Sequence, residues 1–144
     1  MTQSKDIADL TAKTKFKLKA AEDQDIDRIM SCYLNSPETL LYDPCPGQYV
    51  GWDTIKTIFL DYHHKWPAMQ GEMQHLHVGA SGDLGHTFSI QVWRFKKPNG
   101  EVDEIVHRVT EIWRRVDGDW KCIHEHASTP MDLLGDMRTA SNKP

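Results

Sequence analysis

The chain is 144 residues long, the size of one domain, and long enough to bury about two-thirds of its unfolded surface. With 39% hydrophobic and 26% charged residues, its composition is that of a globular protein and excludes a disordered chain. A net charge of −4, with the lysines scattered, speaks against nucleic acid as a partner, and no apolar run approaches the roughly 20 residues that a membrane span needs. The opening MTQSKDIADLTAKTKFKLKA lacks the apolar centre of a secretory signal. Cys32, Cys45 and Cys122 are odd in number and show no C-x-x-C spacing, which argues against a disulfide scaffold and makes a cytoplasmic location the expectation.

Residues 5–20 carry Ile7, Leu10, Thr14 and Leu18 near helical spacing in a charged background, which predicts a surface helix. Asp23, Gln24 and Asp25 then start a second helix, with Ile26, Ile29, Met30 and Tyr33 as its apolar stripe and Pro37 as its end. TLLYDP predicts a short strand cut by Pro44, and PCPGQYVG a proline- and glycine-rich loop. WDTIKTIFLDYHHKW places Ile55, Ile58, Phe59 and Tyr62 on one helical face before Pro67. His63 and His64 sit at the negative end of that helix, where positive charge is favourable without any function.

From there the period changes to two. GEMQHLHVGAS, LGHTFSIQVWRFKK, DEIVHRVTEIWRRV and DWKCIHEHAST predict four long strands joined by hairpin turns at SGD, KPNG and VDG. RTASNKP ends a solvated tail over 131–144, leaving a single domain with its core over about 5–130. Helices followed by an antiparallel meander imply an α+β fold with the helices on one face of the sheet. Long strands twist and curl, so that face is expected to enclose a conical pocket.

DIDRIMSCYLNSPETLLYDPCPGQYVGWDTIKTIFLDY resembles the corresponding part of ketosteroid isomerases, and TEIWRRVDGDWKCIHEHASTP resembles the end of SnoaL-like domains and of the calcium/calmodulin-dependent kinase association domain. All belong to the nuclear-transport-factor-2-like superfamily. The resemblance implies a cone-shaped barrel, a curved antiparallel sheet wrapped around N-terminal helices, and a superfamily that hosts isomerases, dehydratases, cyclases and non-catalytic assembly domains. It implies that Asp43, in the Asp-Pro pair, is a base that moves a proton beside a carbonyl, with Gly51 closing the loop; the plainer role for Asp43 is to cap that loop. It also implies that Glu111 is a protonated acid of the oxyanion hole, whereas an ion pair with an inward Arg or His would keep it charged. The isomerases' first-helix tyrosine falls here at about Lys17, beside Phe16, a departure that speaks against steroid isomerisation itself. Tyr33 matches a tyrosine of the family, and its apolar stripe makes it core.

Alternation puts His107, Val109, Glu111 and Trp113 on one face. The pocket is expected to be walled by Tyr33, Trp66, Val92, Val109, Trp113, Ile123, Glu125 and Ala127; core packing explains Trp66, Trp93 and Trp113 equally well. The turn after Val116 decides the rest. A two-residue Asp117-Gly118 turn would turn His124 and His126 toward Glu111, whereas a three-residue Val116-Asp117-Gly118 turn slips the register by one. The kinase-domain resemblance favours the second, with Ile123, Glu125 and Ala127 facing Glu111. His124, His126, Trp120 and Cys122 then lie on the convex face, through which a homodimer is expected.

Three functions remain open. The first is a cofactor-independent isomerase, dehydratase, lyase or cyclase acting on a small hydrophobic carbonyl compound, with Asp43 as base, Glu111 as acid and His107 or Glu125 as helper. The second is a non-catalytic small-molecule-binding or oligomerisation domain. The third is a metalloenzyme with His75, His77, His124 and His126 as ligands, which needs the two histidine pairs on adjoining strands.

Overall fold

A computed structural model of the protein describes residues 2–44 and 47–130. The predicted tail and Cys45 lie outside the described residues. Three helices, α1 (Thr2–Glu22), α2 (Ile26–Ser31) and α3 (Trp52–Lys65), pack against a curved, open sheet of six strands. The strands are β1 (Leu40–Asp43), β2 (Gly47–Val50), β3 (Ala68–Ser81), β4 (Leu84–Lys96), β5 (Val102–Val116) and β6 (Asp119–Ser128). Their order across the sheet is β2-β1-β6-β5-β4-β3, antiparallel except where β1 runs parallel to β6.

α1 ends where Gln24 takes a left-handed φ of 53°, so that the Gln24 and Asp25 amides turn back onto the Ala21 and Ala20 carbonyls. Asp25 then caps α2 by accepting from the Arg28 amide at 3.1 Å. α2 is shorter than its apolar stripe predicts. After Ser31 the backbone pairs with β6 instead, Cys122 N–H donating to Cys32 O at 2.7 Å and Leu34 N–H to Cys122 O at 2.9 Å. Tyr33 therefore leaves the helix but still buries its ring.

The expected loop over 44–51 is also corrected. Gly47–Val50 form β2 and pair with Leu40–Asp43, because β1 has one free edge and Gln48–Val50 can satisfy it. Of the prolines in that stretch, Pro44 stands in the turn that follows β1.

The β5–β6 hairpin settles the register in an unexpected way. Asp117 and Gly118 have φ values of 51° and 78°, a two-residue turn that pairs Val116 with Asp119. The slip comes further along, where Trp113 pairs with Cys122 but Ile112 pairs with His124, leaving Ile123 as the extra residue of a bulge. Beyond the bulge Glu125 faces Glu111 and Ala127 faces Val109, as expected. Before it the facing is the reverse of the expectation: Trp120 and Cys122 point inward and are core, not convex-face residues.

The core joins Leu10 and Ala20 of α1, Ile29 and Met30 of α2 and Ile55 of α3 to Trp113, Trp120 and Cys122 of the sheet. Each fully buried large aliphatic side chain contributes about 1.5–3 kcal/mol. Arg115 fastens α1 to the sheet, bonding both carboxylate oxygens of Asp6 at 2.5 and 3.1 Å while lying over the Trp120 ring. Leu10 comes down onto Gly85, where a Cβ would stand 2.7 Å from Leu10 Cδ2 and 3.1 Å from the Gly79 carbonyl oxygen. Gly85→Val therefore lifts α1 from the sheet, with an expected loss of about 1–3 kcal/mol in urea unfolding; an unchanged midpoint would show that this close approach does not hold the layers.

Candidate functional site

Between the helices and the inner sheet face lies a cavity lined on its apolar side by Leu18, Ala21, Ile29, Phe59, Tyr62, Trp66, Met69, Trp93, Phe95, Ile105, Val109 and Ala127. Its polar lining consists of Thr14, Lys17, Asp43, His63, Gln91, His107, Glu111 and Glu125, with Pro44 beside Asp43.

Glu111 stands in mid-β5, with Thr87 of β4 and Glu125 of β6 as its cross-strand partners, so all three side chains share the inner face. Lys17 reaches down from α1 between the two carboxyls. Its Nζ is 2.8 Å from Glu111 Oε2 and is also ion-paired with Glu125 Oε1. Tyr33 OH donates to Glu125 Oε1 at 3.0 Å, and the Lys17 ammonium lies 4.9 Å from the Tyr33 ring centroid. Thr87 Oγ1 donates to Glu111 Oε1 at 3.3 Å and accepts from Trp113 Nε1 at 3.2 Å.

Glu111 is 1% exposed, and burial pushes its carboxyl up from the ordinary 4.5 to about 7 despite the attraction of Lys17, with the Glu125 charge adding to the rise. Burial acts on Glu125 in the same direction, but the charge and hydrogen bond of Lys17, with bonds from Glu111 and Tyr33, outweigh it and hold Glu125 below the usual range. Burial opposes the charge on Lys17 too, yet the two carboxyls raise its pKa well above the ordinary value, so it stays an ammonium.

Asp43, at the end of β1, lines the same cavity and accepts from Tyr62 OH of α3 at 2.9 Å. Trp66 packs on Phe95 with ring centroids 4.6 Å apart, and Phe95 is stacked with Trp93 at 6.2 Å and 15°. A Cβ on Gly71 would meet the Trp93 ring at 2.8 Å, so the ring lies on bare backbone there. His107 faces the cavity across from Gln91, and burial lowers its pKa, leaving a neutral imidazole at pH 7. Burial lowers His63 likewise.

Of the residues expected at the site, Asp43, Glu111, His107, Trp66, Val109, Glu125 and Ala127 line this cavity. Tyr33 and Trp113 stand behind it, in the core, and support Glu125 and Thr87. Val92 is corrected to the outer face: with Gln91, Trp93 and Phe95 turned inward, alternation turns Val92 away. Ile123 is displaced by its place in the bulge.

The two histidine pairs do not meet, because β4 and β5 separate β3 from β6. His75 has a φ of 51° inside a second bulge between Gln74 and His77, His124 Nδ1 is 2.9 Å from Leu40 O, and Tyr42 lies edge-on to both His124 and His126. The four-histidine site is thereby overturned. Among the described residues no group of three or more His, Cys, Asp or Glu is placed to hold a metal ion.

Residues 14–132 match the SnoaL-like domain family, most of the chain, and the protein belongs to that family. No curated protein matches the sequence. A candidate dehydratase of the nuclear-transport-factor-2-like family from Streptomyces avermitilis superposes with a TM-score of 0.84 at 16% identity, covering 90% of this chain and 99% of that one. A superfamily member from Salmonella enterica gives 0.84 at 17% identity, covering 92% and 96%. A candidate scytalone dehydratase from Novosphingobium aromaticivorans gives 0.79 at 8% identity, covering 88% and 85%. At these identities the likeness establishes the fold alone. No helix among the described residues is long and apolar enough to cross a membrane.

The raised Glu111 carboxyl makes stability depend on pH. The folded state holds this proton more tightly than the unfolded chain does, so the contribution is full below about pH 4.5 and is lost as pH rises through about 7. The lowered Glu125 carboxyl acts in the opposite sense, losing its contribution as pH falls below the ordinary 4.5. Burial-lowered His107 and His63 add stability as pH rises through the ordinary 6.5 in the same window, so the Glu111 contribution is read as a difference: the urea midpoint of the native protein relative to that of Glu111→Gln should fall between about pH 5 and pH 8. A slope unaffected by the substitution would place the proton elsewhere.

Proposed function

We propose that the protein is a cofactor-independent proton-transfer enzyme, an isomerase, dehydratase, lyase or cyclase acting on a small hydrophobic carbonyl compound. The observation that carries this reading is that a strand-end carboxyl, Asp43, and a buried carboxyl clamped by a lysine, Glu111, line one largely apolar cavity. The fold shared with candidate dehydratases supports the reaction class.

In this reading the substrate's carbonyl oxygen sits at the Lys17–Glu111 end. Asp43 takes a proton from the carbon beside the carbonyl, and Tyr62 OH orients the receiving carboxylate. Negative charge develops on the oxygen, where the Lys17 ammonium and the Glu111 hydroxyl stabilise it or hand it a proton. Glu125 keeps Lys17 charged and in place. Lys17 thus takes over the donor role that a phenol fills in the isomerases, and His107 contributes a second polar contact.

A binding domain without chemistry is the competing reading, favoured by the match of Lys17 to two protein carboxyls, which suits a purely structural cluster. Asp43→Asn separates the two. An enzyme loses about 10²- to 10⁴-fold in kcat on a turned-over carbonyl substrate, with the fold intact by circular dichroism. Unchanged turnover would reject Asp43 as the base, and unchanged binding with no turnover in either protein would favour the binding domain.

Two copies are further proposed to associate through the outer sheet face. That face carries the half-buried Ile90, Val106 and Ile112, with Phe88 44% exposed and stacked on His86. Phe88→Glu should shift sedimentation equilibrium from dimer toward monomer, whereas a native protein that is monomeric at all concentrations would reject this interface.

A further inference from the structure

Two neighbouring rows of cross-strand partners run over the outer face of the sheet. One joins Gly79, His86, Ile112, His124 and Leu40, and the other joins His77, Phe88, Thr110, His126 and Tyr42. Each row therefore carries one histidine from the β3–β4 hairpin and one from β6, all turned away from the cavity. Aromatic rings hold three of them. His86 stacks on Phe88 with centroids 4.6 Å apart, and Tyr42 meets His124 at 5.2 Å and His126 at 5.6 Å. His124 is also held to the Leu40 carbonyl, 2.9 Å from its Nδ1. These are fixed rings in an apolar patch.

The charges beside them are of one sign. The flanking rows are Leu84, Arg114 and Lys121 on one side and Ile90, Arg108 and Ser128 on the other, while β2 adds Gln48 and Val50 beyond β1. Among the described residues none of these rows carries a carboxylate. The carboxylates nearer the two ends of the face are engaged already. Arg94 holds Glu72 and Glu104 at 3.9 and 3.0 Å, and Asp119 is paired with Lys13 and Lys121 at 3.0 and 3.3 Å.

A second copy laid on this patch meets the same residues again, so every charge on it is doubled. Arg108 and Arg114 are exposed, and their long side chains can carry the charge to the rim of a contact. A ring fixed on its strand cannot. A neutral imidazole fits an apolar contact, whereas an imidazolium buried without a carboxylate opposes it strongly. Histidine is the side chain that makes this change between about pH 5 and pH 8.

We infer that His77, His86, His124 and His126 make self-association dependent on pH. Two copies hold together face to face while these rings are neutral, and they separate as the rings take up protons. The inference rests on the proposed outer-face dimer and concerns its regulation.

The test is sedimentation equilibrium of the native protein at about pH 8 and about pH 5.5, at constant ionic strength, with folding checked by circular dichroism. The dimer dissociation constant should rise at least about 100-fold on acidification, because each imidazole that must shed a proton to enter the contact weakens association by up to about tenfold per pH unit below 6.5. The pairs His77→Gln with His86→Gln and His124→Gln with His126→Gln should each remove part of that rise, and all four together should abolish it. A second measurement needs no substitution: diluting the native dimer to monomer at about pH 6.5 should move the ring signals of these four histidines in NMR spectra toward the charged form and leave those of His63 and His107 in place. Should the fourfold variant be monomeric even at pH 8, this dilution decides, movement supporting the inference and no movement overturning it. A native dimer with the same constant at both pH values, or a rise that survives in a dimeric fourfold variant, overturns the inference and leaves the interface standing. A native protein that is monomeric at pH 8 removes both.

Discussion

One lysine serving two buried carboxyls is the constraint that shapes the closed end of the cavity. At an effective dielectric constant of about 20, two unit charges 4 Å apart interact by about 4 kcal/mol. Lys17 attracts Glu111 and Glu125 alike, while the two carboxylates would repel one another on a similar scale. Once Glu125 is ionised, its repulsion offsets most of what Lys17 offers Glu111, and the desolvation of Glu111 is left uncompensated. The second carboxyl therefore holds its proton to about neutral pH, and the charge and hydrogen bond of Lys17, with bonds from Glu111 and Tyr33, make Glu125 the ionised member.

This arrangement depends on backbone irregularity. With only the tight Asp117-Gly118 turn, strict alternation would bring His124 across from Glu111 and turn Glu125 outward. The bulge at Ile123 reverses the facing of everything beyond it, so that Trp120 and Cys122 fill the core at one end of β6 while Glu125 and Ala127 line the cavity at the other. The histidines that draw attention in HEH thereby join the outer face, where Tyr42 packs against them. They are consequences of the register, turned to the face of the sheet opposite the acid end.

Apart from β2, the sequence discloses the order of elements, the helical stripes of α1 and α3 and the shared facing of His107, Val109 and Glu111, because each follows from a period of 3.6 or 2. Asp43 and Glu111 as a pair come from the family resemblance rather than from any pattern. What stays hidden is local. A slip placed in the turn and a slip placed at Ile123 give Glu125 the same facing, so the pattern cannot separate them, yet they assign Trp120 and Cys122 to opposite faces. Lys17 is concealed in TAKTKFKLKA, where an inward lysine looks like its solvated neighbours Lys15 and Lys19. Val92 is apolar and Gln91 polar, so composition favours Val92 for the pocket. Pairing decides otherwise: counting in twos from Thr87, the partner of Glu111, brings Gln91 inward.

A lysine in place of the first-helix phenol that the resemblance to the isomerases implies changes the electrostatics less than the formal charge suggests. Lys17 and Glu125 cancel, and Glu111 in its protonated form adds nothing, so the acid end is close to neutral before a substrate arrives. In the proposed reaction an ionised Asp43 gains a proton and becomes neutral while the substrate oxygen becomes negative beside Lys17 and Glu111. The total charge in the cavity is the same before and after; the negative charge is only moved from one carboxyl to a position already provided with donors. A low-dielectric cavity penalises the creation of net charge far more than its relocation between solvated or hydrogen-bonded sites. A surplus positive end would instead bind an anionic substrate tightly in its ground state and gain nothing in the transition state. The paired carboxyls allow a permanently charged donor to sit in a greasy pocket, and in the proposed reaction they are what lets that pocket favour a neutral carbonyl compound.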